Sequence, residues 1–281
     1  MKNNLCDRKI QKIENDLVSI VLPTYNASKS INRCIESVIK QTYENWELIC
    51  CDDCSIDNTY EILKYWSKFD KRIKIMKNEK NLKAAATRNK CLKVAKGNYI
   101  AQIDDDDYMH EDRLKIQIEF LKHNDYDFIG TSMYYFDECG IWKKSSPIKY
   151  PNKRDFLIDS PFSNPSIMFK RECIENVNYY RVAKETRRGQ DYDLFMRLYS
   201  CGYKGANLEV PLTYYYRGKN GYNKTTFKIR IDEFKIRWKN FKDLGLFPVG
   251  ILYSLKPILL GLIPFYILEK IKRTMSKKIL E

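Results

Sequence analysis

The chain has 281 residues, a formal net charge of +14 and 44% hydrophobic residues. That length suits one large α/β domain plus an appendage. The charge favours anionic partners such as nucleotides, phospholipid headgroups or nucleic acid. Nine cysteines, an odd number without framework spacing, argue against a disulfide scaffold and point to a reducing compartment. Cys50, Cys51 and Cys91 fall in apolar stretches and read as small core residues. Cys51 and Cys54 have the spacing of a metal pair, but no second pair follows, so a zinc site is not expected. The polar start at residues 1–4 lacks the apolar stretch of a signal peptide.

A polar extension, residues 1–16, precedes the first apolar run. Residues 18–22 are apolar, β-branched and followed by Pro23, as a buried strand should be. Thr24, Tyr25 and Asn26 open a polar turn. A helix follows with Ile31, Cys34, Ile35, Val38 and Ile39 on one face. Residues 46–51 form the second strand, ending in the carboxylate-rich turn 52–59. The next helix carries Ile62, Leu63, Trp66 and Phe69, and a third strand covers 73–76. A helix over 84–95 closes at Gly97. Strand 99–103 then delivers Asp104, Asp105, Asp106 and Asp107. Short apolar strands alternating with amphipathic helices predict a mainly parallel central sheet with helices on both faces.

Four adjacent carboxylates repel and raise one another's pKa unless a cation sits among them. Hard oxygen ligands at a strand end suit a magnesium- or manganese-type ion shared with substrate phosphates. The alternative is a solvated acidic turn before a helix starting near Asp112. A calcium loop is excluded. Counted from Asp104, the sixth position is Met109, where glycine is needed, and the twelfth is Lys115, where glutamate is needed. In a parallel sheet, ligands collect at the carboxyl ends of the strands. Those ends carry Thr24, Tyr25 and Asn26, then Asp52 and Asp53, then the acidic run. Three polar loops on one edge favour a functional cluster. Neither a dinucleotide fingerprint nor a Walker loop is present, so no glycine-rich loop cradles phosphate.

After a helix over 113–123, residues 127–135 and 141–144 flank a turn at 137–140 and read as a hairpin. Residues 147–165 read as a loop lining or covering a site, 166–169 as a short strand, and 181–189 as a cationic, flexible loop. Asp191 stands in the first turn of a helix ending at Cys201 and Gly202, where the helix dipole favours a carboxylate; a plain capping role is the alternative. Residues 210–217 are the last strand. Beyond them a basic amphipathic helix over 225–243 carries Phe227, Ile231, Phe234, Trp238 and Phe241 as one stripe.

Residues 246–268 are apolar except for Lys256 and are long enough to cross a bilayer. Three features oppose a simple span. Lys256 would cost ~3 kcal/mol near its middle. Pro257 and Pro264 break a helix. The basic tail, with Lys270, Lys272, Arg273, Lys277 and Lys278, would lie across the membrane from a basic main domain. Broken helices lying in the cytoplasmic leaflet, with Lys and Arg on anionic headgroups, fit better. A true span and a packed soluble subdomain are the other two readings.

Several of these stretches together resemble one family, the family 2 glycosyltransferases with the GT-A fold, a Rossmann-like α/β arrangement. Residues 18–26 look like its first strand and turn. Asp52, Asp53, Cys54, Ser55, Ile56 and Asp57 are similar to its Asp-Asp-Gly-Ser-Thr-Asp turn, with Cys54 in place of glycine. Residues 81–89, ending Ala86-Thr87-Arg88-Asn89, resemble the start of its Ala-Arg-Asn helix, with Lys83 and Ala84 where glycines are common. Residues 103–108 resemble its DxD motif. Gln190 and Asp191 stand where it has Glu-Asp. The match covers about residues 17–217 in order and spacing.

That resemblance implies a catalytic domain over 17–218, with a nucleotide-binding half at 17–108 and an acceptor half at 109–218. A helical, membrane-associating region would follow at 219–281. It implies that Pro23, Thr24, Tyr25 and Asn26 border the nucleotide and that Asp53 accepts a hydrogen bond from the base, by analogy a uracil. Arg88 would touch the diphosphate, and Asp104 the ribose or sugar. Asp105 would belong to the same donor site. Asp106 would ligate Mn2+ or Mg2+, and Asp191 would be the general base. The expected enzyme is inverting: it moves a sugar from a nucleotide-sugar, by analogy UDP-linked, to a saccharide or lipid-linked acceptor on the cytoplasmic face of the membrane, and it binds no nucleic acid. Transfer to a polyprenyl phosphate, which needs no base, is one rival. A catalytically dead basic module that binds membranes or nucleic acid is another. Tyr134, Tyr135 and Trp142 either stack on sugar rings or pack a core.

Overall fold

The computed structural model describes residues 16–217 and 226–262. The N-terminal extension, apart from Asp16, lies outside these residues, as do Pro264 and the basic tail. Four strands, β1 (Val18–Thr24), β2 (Trp46–Asp52), β3 (Ile73–Lys77) and β4 (Tyr99–Gln102), pair in parallel in the order β3-β2-β1-β4. Val18 lies level with both Trp46 and Tyr99, so these strands deliver their carboxyl ends to one edge.

Both faces of this half are covered. Val18, Ile20 and Leu22 pack into one core with α1 (Ile31–Ile39), Leu63 of α2 (Thr59–Phe69) and α4 (Arg113–His123). Val21, Ile49 and Cys51 face the other core with Cys91 and Leu92 of α3 (Ala84–Val94). Two covered faces explain why the strands read as unbroken apolar runs rather than alternating ones. Cys50, Cys51 and Cys91 are fully buried, as expected of small core residues.

The second half departs from the expected parallel sheet. β8 (Met168–Lys170) runs antiparallel between β4 and β6 (Phe128–Asp137), and β7 (Gly140–Lys144) closes the predicted hairpin on β6. β9 (Gly205–Tyr216) is parallel to β6, while β5 (Tyr108–Met109) is antiparallel to β9. The sheet as a whole is therefore mixed. Only β6 and β7 are reversed by a short turn; the other antiparallel pairs join strands far apart in sequence. β9 starts earlier than the pattern suggests because its register on β6 shifts around Ser132, which scrambles the alternation. A Cβ on Gly205 would lie 2.3 Å from the Phe128 ring, so β9 enters the sheet on a glycine.

Loop 181–189 is tied down rather than free. Thr186 Oγ1 donates to Arg181 O at 2.7 Å and accepts from Ala183 N–H at 3.1 Å. After α5 (Arg171–Asn176) and this loop, α6 (Gln190–Ser200) buries Leu194, Phe195 and Leu198 against the second core.

Two helices, α7 (Phe227–Asp243) and α8 (Val249–Leu262), pack on each other, and α7 docks on α6. Of the stripe expected on α7, only Phe241 belongs to its fully buried face. Ile236, Arg237, Asn240 and Phe241 are buried, whereas Phe227 and Trp238 are 46% and 40% exposed. Two polar side chains turn inward because acceptors wait there. Arg237 Nη1 donates to Leu157 O at 2.9 Å, and Asn240 Nδ2 donates to Asp193 Oδ1 at 3.0 Å. Nor does Pro257 break α8, which continues through it. Gly250, Ser254 and Pro257 form a narrow buried face along α8, and a Cβ on Gly250 would meet that of Phe241 at 3.0 Å. The opposite face exposes Val249, Leu252, Leu255, Leu259 and Leu262. Among the described residues no helix is long and apolar enough to cross a membrane.

Candidate active site

The carboxyl edge of the parallel half opens into a cleft of about 400 Å³. Pro23, Thr24 and Tyr25 from the end of β1 form one wall, and Asp53 from the turn after β2 lies beside them. Arg88 reaches in from α3, and Asp104, Asp105 and Asp106 line the floor. Of the residues the sequence assigns to the donor, all but Asn26 line this cleft. Asn26 has a left-handed backbone, φ 53°, and serves the turn. Its N–H donates to Ser55 Oγ at 2.9 Å, and its Oδ1 accepts from Ile56 N–H at 3.0 Å. It braces the β1 turn against the β2 turn.

Asp53 is nearly buried and already engaged. Its Oδ1 accepts from Asn78 Nδ2 at 2.8 Å and from Leu82 N–H at 2.7 Å, and its Oδ2 accepts from Lys83 N–H at 2.8 Å. A carboxylate offers about four lone-pair directions, so Oδ2 keeps one for a ligand. Lys83 has φ 72° and ψ 165°, a backbone region essentially reserved for glycine. Cys54 also has positive φ, 62°. Of the three positions where this chain lacks the family's glycines, Cys54 and Lys83 are therefore two that glycine fits best, while Ala84 is not among the positive-φ residues. Hydrogen bonds to Asp53 hold Lys83 there.

The acidic floor is crowded. Burial first, then Asp106 and Asp104, push the Asp105 carboxyl up to about 7, although Tyr25 N–H donates to it at 2.8 Å. Burial and Asp104 push Asp106 up to about 6. Asp107 is fully buried, accepts from Tyr216 N–H at 2.8 Å, and is raised well above the usual range by burial and its neighbours. Among the described residues Asp104 is the one of the four with an ion pair: Arg88 Nη2 lies 2.5 Å from its Oδ1. Arg88 is 2% exposed, and its Nε and Nη1 have no partner among the described residues. Burial works against its charge, but Asp104, Tyr180 and Asp191 outweigh that and keep it cationic.

No group of three ligating side chains converges on one point among the described residues. Asp104 and Asp106 nevertheless offer hard oxygens on a floor with surplus negative charge. That arrangement fits a Mg2+- or Mn2+-type ion, which takes one or two carboxylates and completes its shell with water and substrate phosphates.

Asp191 lies next door. It opens α6 and faces a second cavity of about 680 Å³, walled on one side by Ile236 and Arg237 of α7 and on another by Asp159 and Ser160. The predicted site-lining loop 147–165 thus does line a cavity. Burial raises the Asp191 pKa and Asp104 adds to it, while Tyr192 N–H and Arg88 oppose them. Gln190, its neighbour, turns to the first cleft instead. Sequence reasoning missed five wall residues, Asn81, Lys83, Ala84, Thr87 and Tyr215. The first four sit around the helix-start motif, but nothing in sequence places the end of β9 beside the acidic floor.

A half-parallel sheet whose carboxyl edge collects carboxylates, a buried arginine and an open cleft has the ligand-binding edge of an α/β protein. The glycosyl transferase family 2 model matches residues 19–177. The provisionally named glycosyltransferase EpsE of Bacillus subtilis (strain 168) is 33% identical over 265 residues, 93% of this chain and 95% of that protein. From Escherichia coli, the UDP-Glc:alpha-D-GlcNAc-diphosphoundecaprenol beta-1,3-glucosyltransferase WfaP is 33% identical over 204 residues, 71% of this chain and 77% of its own. The crystal structure of Staphylococcus aureus TarS 1–349 in complex with UDP-GlcNAc shares the fold, with a TM-score of 0.67 at 20% identity, covering 82% of this chain and 71% of that one. So does the Pyrobaculum calidifontis mannosyltransferase PcManGT in complex with GDP-Man and Mn2+, with a TM-score of 0.60 at 19% identity, covering 87% and 68%. The chain belongs to glycosyl transferase family 2 and is a glycosyltransferase.

Proposed function

We propose that this enzyme moves a sugar from a UDP-linked donor to a hydroxyl of a saccharide or lipid-linked saccharide during polysaccharide or glycoconjugate assembly. One observation carries the reading: Asp191, which faces a second cavity, lies close enough to Arg88 and Asp104 of the acidic cleft for their charges to act on it. The cleft suits the donor, and Asp191 beside it suits the attacking hydroxyl. Tyr25 and the free lone pair of Asp53 would take the base, and Arg88 would take the diphosphate side. Asp104 and Asp106 would hold a divalent ion, which when bound offsets charge on the leaving diphosphate. Asp191 would accept the proton of the attacking hydroxyl. One base and direct attack give a single displacement with inversion. The relatives support the substrate classes, since WfaP by its name takes UDP-Glc and a diphosphoundecaprenol-linked acceptor.

The exposed leucine face of α8, with Lys256 beside it, would rest on the anionic inner leaflet of the cytoplasmic membrane. Calorimetry with UDP, GDP, CDP and dTDP, in Mn2+, Mg2+ or EDTA, tests the donor site. Metal-dependent binding of UDP by the wild type, lost in Asp106→Ala, is the expected result. Binding indifferent to metal and to Asp106 would sink the metal-assisted reading. Binding of no nucleotide at all would favour a dead membrane-binding module.

A further inference from the structure

We propose that Tyr215, Tyr135 and Trp142 form a stacking track for a saccharide acceptor, leading from the donor cleft to the surface. This rests on the glycosyl-transfer reading and deepens it. Tyr215 lines the donor cleft with Asp106. On β6, Tyr135 is its register partner, with ring centroids 5.6 Å apart and planes at 80°. The Tyr135 ring then meets Trp142 of β7 at 5.5 Å. Trp142 is 49% exposed on a strand whose residues all face solvent. Core packing therefore does not account for it.

Each ring-to-ring step is comparable to the length of one pyranose unit. Weakly positive axial C–H bonds of a pyranose lie well against the negative face of an aromatic ring. Two cations lie over the middle ring, Lys143 Nζ at 5.9 Å and Arg217 Cζ at 6.0 Å from its centroid. The track starts in the donor cleft, which Gln190 also lines one residue from Asp191, and ends in solvent, as an acceptor of two or more units requires. A bound saccharide would therefore occupy the β6-β7 side of the cleft.

The test compares wild type with Trp142→Ala and Ile141→Ala, the latter an exposed neighbour on the same strand. Each full chain is titrated calorimetrically, with UDP and Mn2+ saturating. The probes are gluco-, galacto-, manno- and N-acetylglucosamine series of one to four units. At least one series should bind the wild type more tightly as it grows from one unit to three. Trp142→Ala should weaken the three-unit probe about tenfold, the scale of one aromatic contact, and hardly alter the one-unit probe. Ile141→Ala should match the wild type. Equal affinities in all three proteins, affinity independent of length, or no saccharide binding while UDP still binds would each overturn the track. Loss of UDP binding itself would instead overturn the donor reading and the track with it.

Discussion

Asp193 is the most consequential side chain outside the two cavities. Two residues beyond the proposed base, it is 1% exposed and accepts four hydrogen bonds. Arg181 donates through Nε at 3.1 Å and Nη2 at 2.9 Å, Arg197 through Nε at 2.8 Å, and Asn240 through Nδ2 at 3.0 Å. Arg197 in turn donates to Tyr179 O at 2.6 Å, so one carboxylate joins loop 177–181, α6 and α7. Burial alone would raise its pKa, but Arg197, Arg181 and Asn240 hold it below the usual range.

Asp193→Ala leaves Arg197, 17% exposed, without its anion, and leaves Arg181, 23% exposed, with Glu185 alone at 2.7 Å. Removing one partner of a buried pair costs about 3–5 kcal/mol; partial exposure of both arginines puts the expected loss near the lower end, about 3 kcal/mol. At about 2–4 °C per kcal/mol for a domain of this size, Tm should fall by roughly 6–12 °C. Thermal melts read by circular dichroism measure it. The pH dependence has a definite sign. A depressed carboxyl stabilises the fold above its unfolded value of about 3.9 and loses that contribution as pH falls through the lower folded value. Wild type should lose stability along that acid limb, and Asp193→Ala should show less of it. A Tm within 2 °C of wild type, or an unchanged acid limb, would refute the reasoning.

Lys83→Gly should stabilise the protein. Backbone strain of about 1–3 kcal/mol disappears, offset in part by glycine's extra unfolded-state freedom of roughly 0.5–1 kcal/mol, so a Tm rise of about 2–4 °C is expected, and a fall would contradict the strain argument. Transfer rate should climb with pH through the raised Asp191 pKa, because only the carboxylate accepts a proton, and Asp191→Asn should lower kcat by about 10²–10⁴. A fully active Asp191→Asn enzyme would indicate an acceptor phosphate that needs no base. Leu252→Gln with Leu259→Gln should reduce co-sedimentation with anionic vesicles while leaving UDP binding intact; unchanged sedimentation would remove α8 from the membrane contact.

The parallel half was legible because its signals are local. Each strand ends directly in the turn that serves the site, so Thr24, Asp53 and Asp104 could be placed from order alone, and Arg88 sits one turn into its helix. The second half was less so. Tyr215 reaches the acidic floor through a β6-β9 register that shifts at Ser132, and no spacing rule encodes that shift. On α7, hydrophobic periodicity matched only Phe241 of the buried face because Arg237 and Asn240 are buried by hydrogen bonds, which a hydrophobicity pattern scores as exposure. Pro257 misled for a related reason: a helix-breaker sits inside a helix whose narrow face packs tightly on a neighbour. Asn26 shows the converse, a residue in the right motif that serves the turn rather than the cleft.

The three hydrogen bonds to Asp53 have a kinetic consequence. They fix Asn78, Leu82 and Lys83 before any ligand arrives, so this rim of the cleft does not have to order itself around the nucleotide. Binding on such a preset rim forfeits little chain entropy, and association should be limited by encounter rather than by loop closure.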